Sequence, residues 1–542
     1  MLRRCIIRPN LSFMPNLIII NIDGLKPATL ADGLAAGSLP HLASILLPSP
    51  HSQPLTFSLI SPAPSTTFTC QGSFVTGASP GQHRVVGNQF FDRLGTNSRG
   101  KPRHYGLDVG DSLSYDDAVG VFRPVVAVDT VSISDLGFSS SHPPNSGLAD
   151  RLMPSDLPTV FQSAASRGLT SAAIHFMYGR GSSAWVRPNL LDLARFKRGG
   201  AVWGLSPEAF DRRMVERFRG LLSHAAQPPH LLLLYFMGLD MTSHLQGPQA
   251  QAEYLMRVID PLVGEILTTL AQRGYRNGTT FIVMSDHGQV AVTPDERHAL
   301  RIGNPFTKPH HEFCDMLTSG GGRLHRFPTT EGRSEIICTP NGGLAHLYLR
   351  DHAAPWHEPP SFESRVLPLA LTLAGASGGS SSDLPIAPDA FSAVLVRNTA
   401  AAGWHAPYDG VAPTGALIPL PEFFAHPSFA PYSEPARRIS ELAVPESGDI
   451  ILLANTEHGY AFGGPLKGQH GGLHHEESVC TFAVGTQWLV NNEQTADGGR
   501  KDVERRIEIS LHTERAQHQR HYNSLSDVAA VTAAILPPLK MS

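Results

Sequence analysis

Five short apolar runs punctuate the chain: "NLIIINI" (16–22), "SAAIHF" (171–176), "HLLLLYFMG" (230–238), "TTFIVMS" (279–285) and "GDIILLAN" (448–455). Each is rich in Ile, Leu or Val without clean alternation, the pattern of strands buried on both faces. Helical patterns separate several of them. In "AEYLMRVIDPLVGEILTTLAQRG" (252–274) apolar residues recur at three- and four-residue spacing and end at a glycine stop, and "PTVFQSAASRG" (158–168) does the same. Strand and helix in alternation predict a mostly parallel sheet covered by helices on both faces, an α/β fold. Ligands of such sheets bind beyond the carboxyl ends of the strands.

Residues 301–440 break this rhythm. Gly, Ser and Pro are frequent, as in "LAGASGGSSSDLPIAPDA", with possible strands at 342–350 and 391–397. The expected organisation is a core built from 1–300 and 441–542, carrying 301–440 as an insertion or cap that partly returns to the core. No internal repeat is apparent.

The strand ends carry the chemistry. The run 16–22 ends in Asp23. The run 230–238 is followed by Asp240 and, four residues on, His244. The run 279–285 meets Asp286 and His287, and 448–455 leads through a glycine-rich stretch to "GQHGGLHH", with His470, His474 and His475. In a parallel sheet these ends share one edge, so the groups converge. Carboxylates with imidazoles suit zinc, or manganese or iron. The i, i+4 spacing of Asp240 and His244 puts both on one face of a helical turn. "SPAPSTTFTCQGSFVTG" (61–77) supplies hydroxyls at the start of a probable helix, where an anion is also favoured. Taken singly, Asp23 reads as a turn or helix cap, the Asp–His pair as a surface pair and the threonines as caps. Their recurrence at the same end of successive strands favours a site.

Composition narrows the classes. Of 542 residues, 41% are hydrophobic and 17% charged, and the formal net charge is −4. No basic field recommends nucleic acid or an anionic membrane as partner. No apolar run approaches the ~20 residues of a membrane span. Cys5, Cys70, Cys314, Cys338 and Cys480 lack paired spacing, so neither a disulfide framework nor a zinc ribbon is indicated. The arginine-bearing N-terminus has no continuous apolar region or small-residue cleavage site; it reads as a short surface extension or, alternatively, a weak transit-like segment, and a cytoplasmic location is the expectation.

Order and spacing resemble the alkaline phosphatase superfamily, and within it the type I phosphodiesterase/nucleotide pyrophosphatase family, over about 16–100, 230–290 and 448–485. The resembling motifs are "NIDGLKP" with Asp23, "PSTTFTCQGSFVTG" with Thr67, "PGQHRVVGN" with His83 and Asn88, Asp240 and His244 followed by Gly247 and Pro248, "DHG" at 286–288, and "GQHG" with His470. The resemblance implies an alkaline-phosphatase-like three-layer α/β/α core. It implies two divalent metals, zinc foremost, one held by Asp23, Thr67, Asp286 and His287 and the other by Asp240, His244 and His470. Metals about 4 Å apart clamp the attacking and leaving oxygens of an in-line displacement. Thr67 would be the nucleophile of a phosphothreonine intermediate, later hydrolysed by water. The implied substrate is a small phosphodiester, including a nucleotide pyrophosphate. A phosphomonoesterase or phosphonate hydrolase on the same core is the alternative, and a non-catalytic binding protein retaining the fold is the alternative of another class.

Two departures stand out. Arg84 occupies a place where glycine is usual. Cys70 stands where eukaryotic-type members carry asparagine, so Gln71 next to it is the expected phosphate donor, with Asn88 and His474 as further substrate contacts. Cys70 has no basic neighbour to activate it. A sulfatase is disfavoured, since its C/S-x-P-x-R signature is missing around 65–77. The segment 175–189, with Arg180 and Arg187, reads as an ordinary loop or as a pocket wall suited to a second phosphate.

Overall fold

The computed structural model describes residues 16–536 except 48–51, 96–101, 107–149, 151, 189–191, 193–194, 196–203, 226, 274–278, 303–311, 326–333, 376–388 and 486–495. The N-terminal segment before Asn16 therefore lies outside the described residues.

The run 16–22 forms the strand Asn16–Ile22 at the centre of a seven-stranded sheet. The order is Leu55–Thr56, Phe482–Gly485, Thr279–Met284, Asn16–Ile22, Leu231–Phe236, Ser171–Ile174 and Ala184–Val186. The last five strands are parallel, while Phe482–Gly485 and Leu55–Thr56 add antiparallel pairings at one edge. Alternation sorts the faces. Ile18, Ile20 and Ile22 point into one core with the helices Pro27–Ala35, Pro40–Leu46, Pro207–His224 and Asp260–Gln272. Leu17 and Ile19 point into the other, with Thr67–Thr76, Val160–Ser166 and Asp527–Ile535. Both faces are covered, which is why the strands show no polar side. Full burial of each such Ile or Leu contributes about 1.5–3 kcal/mol.

The helical pattern that starts at 252 is continuous through Gln272, but its backbone widens into a π turn over Leu255–Ile259 before Asp260–Gln272. Pro261 explains the widening, because it has no N–H to donate to the preceding turn.

A second sheet of six strands is antiparallel throughout: Ile336–Asn341, Leu344–Leu349, Ile450–Ala454, Phe391–Val396, Asp409–Val411 and Leu417–Pro419. The run 448–455, expected among the α/β strands, lies in the middle of this sheet. An apolar run buried on both faces looks the same in either sheet, so periodicity alone cannot assign its partner. The second sheet takes strands from both sides of residue 440. Among the described residues no helix is long and apolar enough to cross a membrane.

Candidate metal centre and active site

In-register pairing sets the geometry. Asn21 lies opposite Tyr235 on one side and Met284 on the other, so the three central strands end together. Asp23 follows the first end, Asp240 follows the second within the helix Gly238–Gln246, and Asp286 and His287 follow the third. His470 arrives on the loop after the short strand Gly468–Gln469. Asp23, Asp286 and His287 form one group of potential ligands and Asp240, His244 and His470 a second, the offered atoms in each lying within 4.8 Å of one another. The rings of His287 and His470 stack at 3.7 Å, which joins the two groups.

All three histidines use Nδ1 on a backbone carbonyl: His244 on Gly468 at 2.8 Å, His287 on Gly288 at 3.0 Å, His470 on Ser65 at 2.7 Å. A donor is required at Nδ1, so each Nε2 presents a lone pair. Those lone pairs face carboxylate oxygens. Nε2 of His244 is 3.2 Å from Asp240 Oδ2, and Nε2 of His287 is 3.3 Å from Asp23 Oδ1 and 3.6 Å from Asp286 Oδ2. Acceptor set against acceptor in a buried site is unfavourable unless a cation stands between them. Asp23 Oδ1 and Asp286 Oδ2 are also buried without a hydrogen-bond partner. The donor set of carboxylates and neutral imidazoles fits a divalent transition metal.

The electrostatics agree. Burial, then Asp286 and Asp240, push the Asp23 carboxyl well above its ordinary range. Burial raises Asp286 to about 6. Burial also raises Asp240, but His244, His470 and His287 outweigh it and hold that carboxyl below the usual range. Burial lowers His287 to about 4 and His470, which also faces His287, to about 3, so both rings are neutral near pH 7. Neutral imidazole is the form that binds metal.

Thr67 opens the helix Thr67–Thr76, and its Oγ1 is 3.3 Å from His287 Nε2. The helix N-terminus there favours a developing negative charge. Gly77 ends the helix in the left-handed conformation, as the "TG" turn suggests. Tyr178 donates to the Phe68 carbonyl at 2.7 Å and so braces the helix that Thr67 opens. Arg180 does not reach the site: it caps the carbonyls of Asp150, Met153 and Leu157. Arg187 lies over the Trp185 ring.

The other expected contacts lie nearby in different roles. Asn88 accepts from the Phe68 N–H at 3.0 Å and so fixes the first turn of the helix. Gln71 sits one turn below Thr67, fully buried, and accepts from Asn21 Nδ2 at 2.8 Å, while its own Nε2 has no partner. His474 stands outside both ligand groups. Its Nδ1 accepts from the Glu476 N–H, and its Nε2 is 3.6 Å from Glu457. His83 is a brace, with Nδ1 accepting from Val85 N–H and Nε2 bonded to Ser73 Oγ at 2.9 Å. Burial raises the Cys70 thiol well above its ordinary value, which makes it inert. Arg84, at the expected glycine, does adopt a left-handed φ of 67°.

Sequence reasoning missed two groups that hold the candidate ligands. Tyr235 donates a short hydrogen bond to Asp23 Oδ2, and Gln289 donates to Asp240 Oδ1. The signal for Tyr235 was a lone hydroxyl inside "LLLLYF", and for Gln289 an amide directly after "DHG".

Comparison with known proteins follows the same residues. The model of the family described as type I phosphodiesterase / nucleotide pyrophosphatase matches residues 17–324, more than half of the chain. That span contains Asp23, Thr67, Asp240, His244, Asp286 and His287, while His470 lies beyond it. An uncharacterised pyrophosphatase/phosphodiesterase of Schizosaccharomyces pombe is 25% identical over 317 residues, 57% of this chain and 52% of the relative. The match thus spans about half of that relative's length. Among solved structures, human ectonucleotide pyrophosphatase/phosphodiesterase 5 is 14% identical with a TM-score of 0.47, covering 87% of each chain. An inactive variant of the murine protein, in complex with AMP, is 14% identical with a TM-score of 0.46, covering 86% of this chain and 87% of the other. With its motifs in order and the family model matched across more than half its length, the chain belongs to the type I phosphodiesterase / nucleotide pyrophosphatase family.

Proposed function

We propose that this protein is a two-metal phosphoric ester hydrolase that cleaves small phosphodiesters, nucleotide pyrophosphates among them, through a phosphothreonine on Thr67. One observation carries the reading. Six carboxylate and imidazole groups, most of them buried, converge in two adjoining clusters, and the Thr67 hydroxyl that bonds into them opens a helix. Asp23, Asp286, His287 and Thr67 would hold one divalent metal, and Asp240, His244 and His470 the other. Zinc suits this donor set best. When bound, such metals supply positive charge to the attacking, transferring and leaving oxygens.

The chain's own residues do the rest. The Thr67 hydroxyl gives its proton to solvent and attacks phosphorus, and the bond to the opposite ester oxygen breaks, that oxygen taking up a proton from solvent. The helix N-terminus stabilises the alkoxide and the equatorial oxygens. Asn88 fixes the first turn of that helix and, with Gln71, is the proposed side-chain donor set for a phosphoryl oxygen. His474, at the rim, is the proposed outer contact. Water then attacks the phosphothreonine, the Thr67 oxygen departs and takes up a proton, and the enzyme is restored.

The test is metal content of the purified protein together with rates on a nitrophenyl phosphate diester and monoester, for wild type and Thr67→Ala. About two zinc ions per chain and a diester preference lost on mutation support the reading. A monoester preference changes the substrate class. Absence of both metal and turnover overturns it in favour of a binding protein.

A further inference from the structure

Arg438 lies on the helix Pro435–Ser440, far in sequence from every proposed ligand, yet it is 1% exposed and among the largest fully buried side chains. Its guanidinium meets only neutral oxygens. Nη1 donates to the Ser433 carbonyl at 3.0 Å, Ser478 Oγ at 2.8 Å and the Leu473 carbonyl at 3.5 Å. Nη2 donates to Ser65 Oγ at 2.7 Å, the Pro62 carbonyl at 3.1 Å, and Ser61 Oγ and the Gly472 carbonyl at 3.4 Å. No carboxylate stands within ion-pair distance of it among the described residues. A buried cation that makes no direct ion pair, with Glu477 attracting it only from farther off, is costly, and its retention calls for a reason.

Its contacts supply one. The 61–65 segment leads directly into Thr67, and 472–478 leads directly out of His470. Ser65 is the node between them. Its hydroxyl accepts from Arg438 and donates to the Gly472 carbonyl at 3.0 Å, while its own carbonyl accepts from His470 Nδ1 at 2.7 Å. The neighbourhood of Arg438 clasps the same loop: Ser433 N–H donates to Leu473, and His475 N–H donates to Pro431. A planar fork of fixed geometry is suited to holding two loops at a set distance, which the flexible ammonium of lysine is not.

We infer that Arg438 is a positioning residue that sets the nucleophile loop against the His470 loop, so that the 431–438 segment contributes to catalysis without touching substrate. This rests on the function proposed above. Because Arg438 acts on the placement of Thr67 relative to the ligands, its loss falls on kcat more than on KM.

Wild type is assayed first: absence of metal and diester turnover there would defeat the proposed function and this inference with it, whereas an active wild type lets the variants below defeat the inference alone. Arg438→Ala is then compared with Arg397→Ala. Arg397 is an equally buried arginine that caps carbonyls of Gly448, Trp404, Val444 and Ser447 and touches neither loop. Per folded chain, Arg438→Ala is expected to lose about 100-fold in kcat, the scale of a small misplacement, with little change in KM. Added methylguanidinium should restore part of that rate, and Arg397→Ala should keep wild-type kcat in its folded fraction. Equal loss in both variants, or wild-type kcat in Arg438→Ala, overturns the inference. If Arg438→Ala does not fold, Ser65→Ala and Ser478→Ala retain the guanidinium and each removes one of its two nearest hydroxyl acceptors. Reduced kcat in Ser65→Ala supports the role, and wild-type kcat in both defeats it.

Discussion

The Thr67 hydroxyl oxygen lies 3.3 Å from Nε2 of His287, whose other ring nitrogen is committed to the Gly288 carbonyl at 3.0 Å. The lone pair of an imidazole is thus held against an aliphatic hydroxyl at the edge of the carboxylate and imidazole cluster. Thr67→Ala should abolish diester turnover while the protein keeps both metals and its melting temperature. Thr67→Ser keeps the hydroxyl and should retain measurable activity. Steady-state rates with metal analysis check both, and an active Thr67→Ala would remove the nucleophile assignment.

Chelation should separate the two ligand groups from the fold. Dialysis against a strong chelator is expected to abolish turnover, and zinc to restore it. Asp240→Ala or His470→Ala should bind one ion fewer than wild type, read by elemental analysis. Unchanged stoichiometry in both variants would contradict the second metal position.

Gly471 follows His470 directly, with φ of 110°, and a Cβ there would lie 1.8 Å from the Asn341 carbonyl oxygen. Opposite it, Gly343 N–H donates to the His470 carbonyl at 2.8 Å. The hairpin of the second sheet therefore packs against the backbone of this loop. Gly471→Ala should destabilise by a few kcal/mol, on the order of strained backbone plus overpacking. Weaker binding of the second metal, measured by isothermal titration, should accompany it.

Arg84 spends conformational energy to make a buried ion pair. Its backbone is left-handed, and its guanidinium donates to Glu446 at 2.8 Å, a carboxylate that is fully buried. Arg84→Gly relieves about 1–2 kcal/mol of strain but strands the carboxylate, which costs about 3–5 kcal/mol. The net expectation is a loss of about 1–4 kcal/mol in chemical denaturation, with much of it recovered in Arg84→Gly/Glu446→Gln. A single variant more stable than wild type would show that strain outweighs the pair.

Asp211 accepts from the backbone N–H groups of Met237 and Gly238 and from Tyr254, fixing the turn that precedes Asp240. Burial raises its carboxyl from 3.8 to about 7. Between those values the folded chain keeps a proton that the unfolded chain has lost, so this group's contribution to stability falls as pH rises from about 4 to 7. Relative to Asp211→Asn, wild type should therefore lose stability across that window, by something on the order of 4 kcal/mol. Denaturation curves of both proteins at pH 4, 5.5 and 7 test this, and parallel pH profiles would refute it.

The sequence by itself determined the main strands, the helix at Thr67 and the residues that end the strands. Those are local properties: apolar runs, a glycine stop, and a charged residue where the run ceases. Strand partners were not local. Burial on both faces made 448–455 look like 16–22, and only cross-strand pairing put Ile450–Ala454 in the antiparallel sheet. The candidate ligand residues were legible because each stands at the end of an apolar run or in a compact motif. What holds them was not. The Nδ1 bonds to Gly468, Gly288 and Ser65, the hydroxyl of Tyr235, the amide of Gln289 and the fork of Arg438 all come from distant segments or backbone atoms. A one-dimensional pattern records where an acceptor is placed along the chain, and tertiary packing decides which acceptors face one another and thus where a cation belongs.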